Sequence, residues 1–262
     1  MQEVIDKGRC TAAHPVPLLC VHSGWHAAWC WDEHFLDYFA ENGFRAVAVS
    51  LRGHGESPTP KPLPTCSIGD YVDDVKAAAA LLDSEPIVVG HSMGGFVVQK
   101  FLESHHAPAG VLMASAPPRG TLRASLRHSA RHPWTGLLKP ITVGSTLGVV
   151  GTPRLVRAHL FCAHTPEHVV VDCAARLQPE SGRVLREMMF RDLPAPELIS
   201  TPMLVLGAAD DRALRQDEIR ATAQAYDTDA HFFSDMGHDM MLEPGWREVA
   251  ERIIEWLGHR GL

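Results

Sequence analysis

Short, nearly continuous apolar runs recur along the chain: PVPLLCVHS (15–23), FRAVAVSL (44–51), PIVVGHS (86–92), GVLMASAP (110–117) and PMLVLGA (202–208). Runs of this kind predict strands buried on both faces, the environment of a parallel sheet. Helical stretches are predicted between them, at about 31–42, 68–82 and 93–105, with Ser67 as the N-cap of the second. The segment EPGWREVAERIIEWLGHR sets Trp246, Val249, Ile253, Ile254 and Leu257 on the inner side of an amphipathic helix. Strand alternating with helix predicts an α/β fold: a mostly parallel central sheet, flanked by helices and wound with right-handed crossovers.

The alternation stops between residues 118 and 199. That stretch holds helical fragments, Pro and Gly, but no convincing strand pair, and it lies between two core strands. It is therefore expected to be a helical cap inserted late in the sheet, on a core made of 1–117 and 200–262. Charge separates the two regions further. From Pro118 to Pro166 there are seven basic residues (Arg119, Arg123, Arg127, Arg131, Lys139, Arg154, Arg157) and no Asp or Glu. Arg119, Arg123, Arg127 and Arg131 recur every fourth residue, and on a helix they form one stripe, with Leu122 and Leu126 on a neighbouring, inward face. A solvated basic face is the plain expectation; a stripe lining the cap's entrance and drawing in anionic substrates is the alternative.

At 262 residues, 45% hydrophobic and 21% charged, the chain has the composition of an ordinary globular protein. A net charge of −7 argues against nucleic acid as a general partner. No apolar run reaches the length of a membrane span. The N-terminal MQEVIDKGRC is polar and acidic where a secretory signal would be basic and then apolar, so a cytoplasmic location is expected. The six cysteines form no CxxC pair and read as reduced structural thiols. His128 and His132 have the i, i+4 spacing of helix metal ligands but no adjacent third ligand, so a surface pair is expected and no metal.

VVGHSMGG (88–95) carries the chemistry. It places Ser92 between an apolar strand and a helix start, in the pattern Gly90-x-Ser92-x-Gly94. A serine at so sharp a turn sits in a strained backbone, and only small residues two positions either side avoid a clash. A serine hydroxyl also needs a base and an orienting acid, which this arrangement supplies later in the chain in the order Ser, acid, His. MLVLGAADDRAL ends a strand with two candidate acids, Asp210 and Asp211; Leu214 can anchor the loop three residues after Asp211, which favours Asp211. HFFSDMGHDMMLEP ends the last strand with His238, the candidate base.

These segments resemble the α/β-hydrolase superfamily over nearly the whole chain. HSGW (22–25) is similar to the family's His-Gly-x loop after its third strand, RGHGES (52–57) to the turn after its fourth, GHSMGG to its elbow and GHDMMLEP to its histidine loop. HSGWHAAWCW resembles the small serine esterase and hydroxynitrile-lyase branch, differing at Ser23, where glycine is usual. By that resemblance Gly24 and Met93 are the candidate oxyanion donors, since acyl transfer needs two backbone N–H groups aimed at the developing charge. Trp25, Trp29 and His22 are the candidate substrate-side residues, with His22 expected to brace its loop. The implied activity is a serine hydrolase of carboxylic esters, thioesters or lactones (carboxylesterase type, EC 3.1.1), needing no cofactor. A hydroxynitrile-lyase-type enzyme, a cofactor-free oxygenase or perhydrolase, and a low-turnover ligand-binding protein are the alternatives. The partner is a small ester-like molecule; oligomeric state stays open.

Overall fold

The computed structural model describes residues 1–131 and 146–262. Seven strands form one sheet: β1 (Val4–Lys7), β2 (Leu18–Val21), β3 (Ala46–Val49), β4 (Ile87–His91), β5 (Gly110–Met113), β6 (Met203–Ala208) and β7 (Ala230–Phe233), in the order β1-β3-β2-β4-β5-β6-β7. Every pairing is parallel except β1 on β3, which runs antiparallel from Val4 opposite Val49 to Lys7 opposite Ala46. The strands β2 to β6 are wholly buried, as their unbroken apolar runs predict. The edge strand β1 is only partly buried and its residues mix polar with apolar, so no apolar run marks it. With β1 ahead of it, the HSGW loop follows β2 and the RGHGES turn follows β3, one strand earlier than the family's numbering implies.

Helices cover both faces. The run expected at 31–42 is two helices, α1 (Trp29–Asp32) and α2 (Phe35–Glu41), broken at His34, whose φ of −145° and ψ of −47° leave the helical region. On the opposite face lie α3 (Ile68–Ala79) and α4 (Met93–Leu102). Ser67 caps α3 in a reciprocal box with Asp70, each side chain taking the other's backbone N–H. Between β5 and β6 the described residues carry no strand but four helices: α5 (Leu122–Arg131), α6 (Pro153–Leu160), α7 (Glu167–Arg176) and α8 (Gly182–Phe190). The chain then adds α9 (Gln216–Ala225) and ends on α10 (Trp246–Gly258), which buries Val249, Ile253 and Leu257 and half-buries Trp246 and Ile254.

The basic stripe is divided. Arg119 precedes α5 and lines a cleft of its own, while among the described side chains of the stripe only Arg127 lines the central cavity. Leu122 and Leu126 face solvent, 43% and 62% exposed, in place of packing inward. The smaller Thr121, Ala124 and Ser125 take the inner side. His132 and Lys139 lie outside the described residues, as do the side chains of His128 and Arg131.

Because β2 sits between β3 and β4, the chain reverses its direction of winding there. Loops at the carboxyl ends of such neighbouring strands diverge and leave a crevice. The loop after β2, the turn after β4 and the loops after β6 and β7 all open on that end.

Candidate active site

Helix α4 begins immediately after β4, and Ser92 between them has φ of 52° and ψ of −112°. This is a costly backbone for a residue with a Cβ, held only by over-determined surroundings. The glycines around it are required by contact. A Cβ on Gly94 would stand 2.3 Å from the Val21 carbonyl oxygen, and one on Gly90 would stand 2.6 Å from the Gly94 carbonyl oxygen. The start of α4 is thus pressed against the end of β2, which lifts Ser92 above the sheet.

His238 arrives from the loop after β7. Its Nε2 lies 2.8 Å from Ser92 Oγ and its Nδ1 2.7 Å from Asp211 Oδ2. The other Asp211 oxygen accepts the backbone N–H groups of Ala213 and Leu214 at 2.8 and 2.9 Å, so the turn after β6 holds the carboxylate in place. Leu214 is buried, whereas Asp210 points to solvent. Burial opposes a charged His238, but the adjacent Asp211 carboxylate and its hydrogen bond outweigh that and raise its pKa above the ordinary 6.5.

Ser92 and His238 open on a cavity of about 400 Å³. Gly24, Met93 and Trp25 share its lining, with an apolar wall from Val149, Leu160, Leu185, Met188 and Leu214. Neither the Gly24 nor the Met93 amide is spent on a backbone group of another described residue. Met93 is the first residue of α4, where helix N–H groups lack partners and the dipole favours negative charge. Ser92, His238, Gly24 and Met93 thus share the lining of one cavity.

His22 and Trp29 do not reach this cavity. His22 is fully buried, takes the Leu51 N–H on Nε2 at 3.0 Å and donates from Nδ1 to the Ser23 carbonyl at 2.7 Å. It is a neutral brace between the ends of β2 and β3, and burial next to His54 holds its pKa well below the ordinary value. Trp29 stacks on His26 and lies under the Arg176 guanidinium, while Trp31 belongs to the core. Only Trp25 of the three tryptophans lines the cavity, with φ of 66°.

Three buried polar assemblies around the site were not singled out from sequence. His26 donates from Nδ1 to the Gly24 carbonyl at 2.9 Å, and its Nε2 lies 3.1 Å from Asp239 Oδ2. One ring nitrogen thus faces a carbonyl oxygen and the other a carboxylate oxygen. Burial would raise the Asp239 carboxyl, but His26 holds its pKa below 3.8. Cys173 Sγ of α7 lies 3.8 Å from each of these partners, and the three make a compact buried group suited in donor type to a metal ion. Glu243 accepts the N–H groups of Cys162 and Gly237 at 2.7 and 2.8 Å, joining the histidine loop to the excursion between β5 and β6. Glu180 accepts from the Tyr71 hydroxyl at 2.6 Å and lies 3.2 Å from His54 Nε2, an electrostatic contact off the line of a hydrogen bond. It packs behind Gly24, 3.7 Å from where a Cβ would project. A signal existed: Asp239 and Glu243 stand among apolar residues in GHDMMLEP, and acids so placed need buried partners.

The chain is 35% identical over 108 residues to a bifunctional esterase/perhydrolase of Acinetobacter calcoaceticus (39% of this chain, 38% of that protein). It is 34% identical over 102 residues to a non-heme chloroperoxidase of Streptomyces lividans (37% and 36%). These alignments span less than half the length of the curated relatives. Among solved structures, a thermophilic esterase from Thermogutta terrifontis superimposes with a TM-score of 0.76 over 100% of this chain and 94% of that one, at 20% identity, a likeness of fold. The model of the alpha/beta hydrolase family matches residues 18–252, and the chain belongs to that family.

Proposed function

We propose that the protein is a serine hydrolase of carboxylic esters, thioesters or lactones, working through an acyl-enzyme. The observation that carries this reading is the unbroken relay from Ser92 Oγ through His238 to Asp211, at the floor of an apolar cavity. Ser92 Oγ attacks the carbonyl carbon as His238 Nε2 takes its proton. The oxyanion forms against the Gly24 and Met93 N–H groups. His238 then returns the proton to the departing alcohol or thiol, and water repeats the sequence to free the acid. Asp211 stays ionised, fixing the Nδ1–H tautomer and stabilising the imidazolium. Residues 118–199 act as a cap on a core of 1–117 and 200–262, and Trp25 with the cap helices shapes the acyl pocket. No cofactor takes part. Five buried free thiols suit a reducing, cytoplasmic setting.

The test is turnover of short p-nitrophenyl esters with fluorophosphonate labelling, in wild type and in Ser92→Ala. Turnover and labelling lost together in the variant support the reading. Labelling elsewhere, or turnover retained, overturns it. A second reading is favoured by the similarity to an esterase/perhydrolase and a chloroperoxidase: hydrogen peroxide in place of water would deacylate the same intermediate to a peracid. Peroxide-dependent halide oxidation that needs both a carboxylic acid and Ser92 would support it. A hydroxynitrile lyase would leave esters nearly untouched, and a ligand-binding protein would neither label nor turn over.

A further inference from the structure

The turn that holds Asp211 also places a cation. Asp211 Oδ1 accepts the N–H groups of Ala213 and Leu214, so Arg212 lies inside a turn pinned by the same carboxylate that orients His238. Its position relative to Ser92 is therefore set by the geometry of the relay. Arg212 and Arg127 both line the cavity above Ser92, and no Asp or Glu lines it among the described residues.

The two guanidiniums differ in what they face. Arg127 makes a two-pronged ion pair with Glu218, which compensates its charge and locks its fork. Arg212 is exposed at the cavity lining and makes no ion pair or side-chain hydrogen bond with any described residue. The rest of the wall is largely aliphatic. An arginine with a free planar fork at an otherwise apolar pocket matches one ligand chemistry, a small oxyanion held at the end of an apolar chain.

We infer that Arg212 is the anchor of an oxyanion subsite, and that the protein acts on esters or thioesters carrying a carboxylate away from the reacting carbonyl. This rests on the hydrolase reading of Ser92. It assigns to Arg212 the anion selection that the sequence suggested for the cap stripe; Arg127 is compensated, and Arg123 lies off the cavity. Arg212 takes no part in bond making: it binds the remote carboxylate and leaves the carbonyl over Ser92.

The experiment uses the full chain and three phenyl esters of similar size. p-Nitrophenyl butyrate is neutral, mono-p-nitrophenyl glutarate carries its carboxylate on the acyl side, and 4-carboxyphenyl butyrate carries it on the leaving side. Wild type, Arg212→Gln, Arg212→Lys and, as an off-cavity control, Arg123→Gln are compared by kcat/KM. Arg212→Gln should lower the anionic-to-neutral ratio by roughly tenfold to a hundredfold for one anionic ester, the loss expected for a hydrogen-bonding partner of a charged group. The loss should fall mainly in KM; Arg212→Lys should restore part of it, and Arg123→Gln should leave the ratio unchanged. The ester that responds identifies which side of the scissile bond bears the anion. Calorimetric titration with glutarate, against butyrate, reads the same contact without turnover and should show binding that Arg212→Gln removes. An unchanged ratio for both anionic esters, or equal glutarate binding by wild type and Arg212→Gln, overturns the subsite. Glutarate binding that needs Arg212, in a protein that hydrolyses none of the esters, upholds the subsite and refutes the hydrolase reading instead.

Discussion

Replacing Asp211 by Asn tests the relay at its most informative point. The carboxylate takes three hydrogen bonds: from His238 Nδ1 at 2.7 Å, and from the Ala213 and Leu214 N–H groups at 2.8 and 2.9 Å. Asparagine has one acceptor oxygen. The two turn N–H groups claim it, which leaves the NH₂ pointing at His238 Nδ1. The imidazole then accepts at Nδ1 and carries its proton on Nε2, facing Ser92 with a donor where a base is needed. The expected loss in kcat is about 10⁴-fold, the size associated with holding this wrong tautomer. Two effects separate this from simple destabilisation. Asp210→Asn, one residue away and facing solvent, should change kcat less than about twofold, as surface substitutions do. The pH profile should also move. In wild type the rate is expected to rise as His238 loses its proton, with a midpoint above 6.5 because Asp211 favours the charged ring. Without that carboxylate, burial is left to disfavour the charge, and any residual activity should have its midpoint shifted to lower pH. Initial rates of p-nitrophenyl butyrate hydrolysis from pH 5 to 9 measure both. Equal, mild losses in the two variants, or a midpoint unmoved by Asp211→Asn, would refute the reasoning.

Ser92→Ala should lower ester turnover by about a thousandfold or more while the melting temperature stays close to wild type, checked by kinetics and calorimetry. Gly94→Ala places a methyl 2.3 Å from the Val21 carbonyl oxygen and should cost about 1–3 kcal/mol or more, read from urea unfolding; a neutral result would mean that the elbow is not pressed against β2. Asp239→Ala should destabilise by about 1–3 kcal/mol, because it leaves the buried His26 Nε2 without its carboxylate partner, and a loss under about 0.5 kcal/mol would mean the contact does not hold the two loops together. Asp239 also has a lowered pKa, so its stabilisation is present above 3.8 and is lost as pH falls through the folded value. Acid-unfolding curves should therefore separate wild type from Asp239→Asn at neutral pH and converge at low pH.

Local signals in the sequence determined most of the frame. Near-continuous apolar runs identified β2 to β6, because a strand buried on both faces favours apolar residues at every position. Gly90 and Gly94 marked the elbow, because steric exclusion there acts between residues close in the chain. Ser67 marked the start of α3 for the same reason, and the structure adds Asp70 to its cap. The edge strand β1 escaped notice because half-buried residues leave no run to read, and the break at His34 did because periodicity continues across a kink.

Tertiary structure decided what depends on groups distant in sequence. Asp210 and Asp211 are chemically identical neighbours; Leu214 favoured Asp211 in the sequence, but the contact with His238, 27 residues on, exists only in the fold. Trp25, Trp29 and Trp31 share one short segment, yet one lines the cavity, one stacks under Arg176 and one fills the core. His26 with Asp239 is a pair across 213 residues, invisible until the loops after β2 and β7 meet. The four arginines spaced every fourth residue looked like one surface, and Glu218 in α9 singled out Arg127 while the Asp211 turn brought Arg212 to the cavity. Spacing along a chain fixes which side chains share a face, but the charge and shape of a pocket come from whichever other segments fold against it.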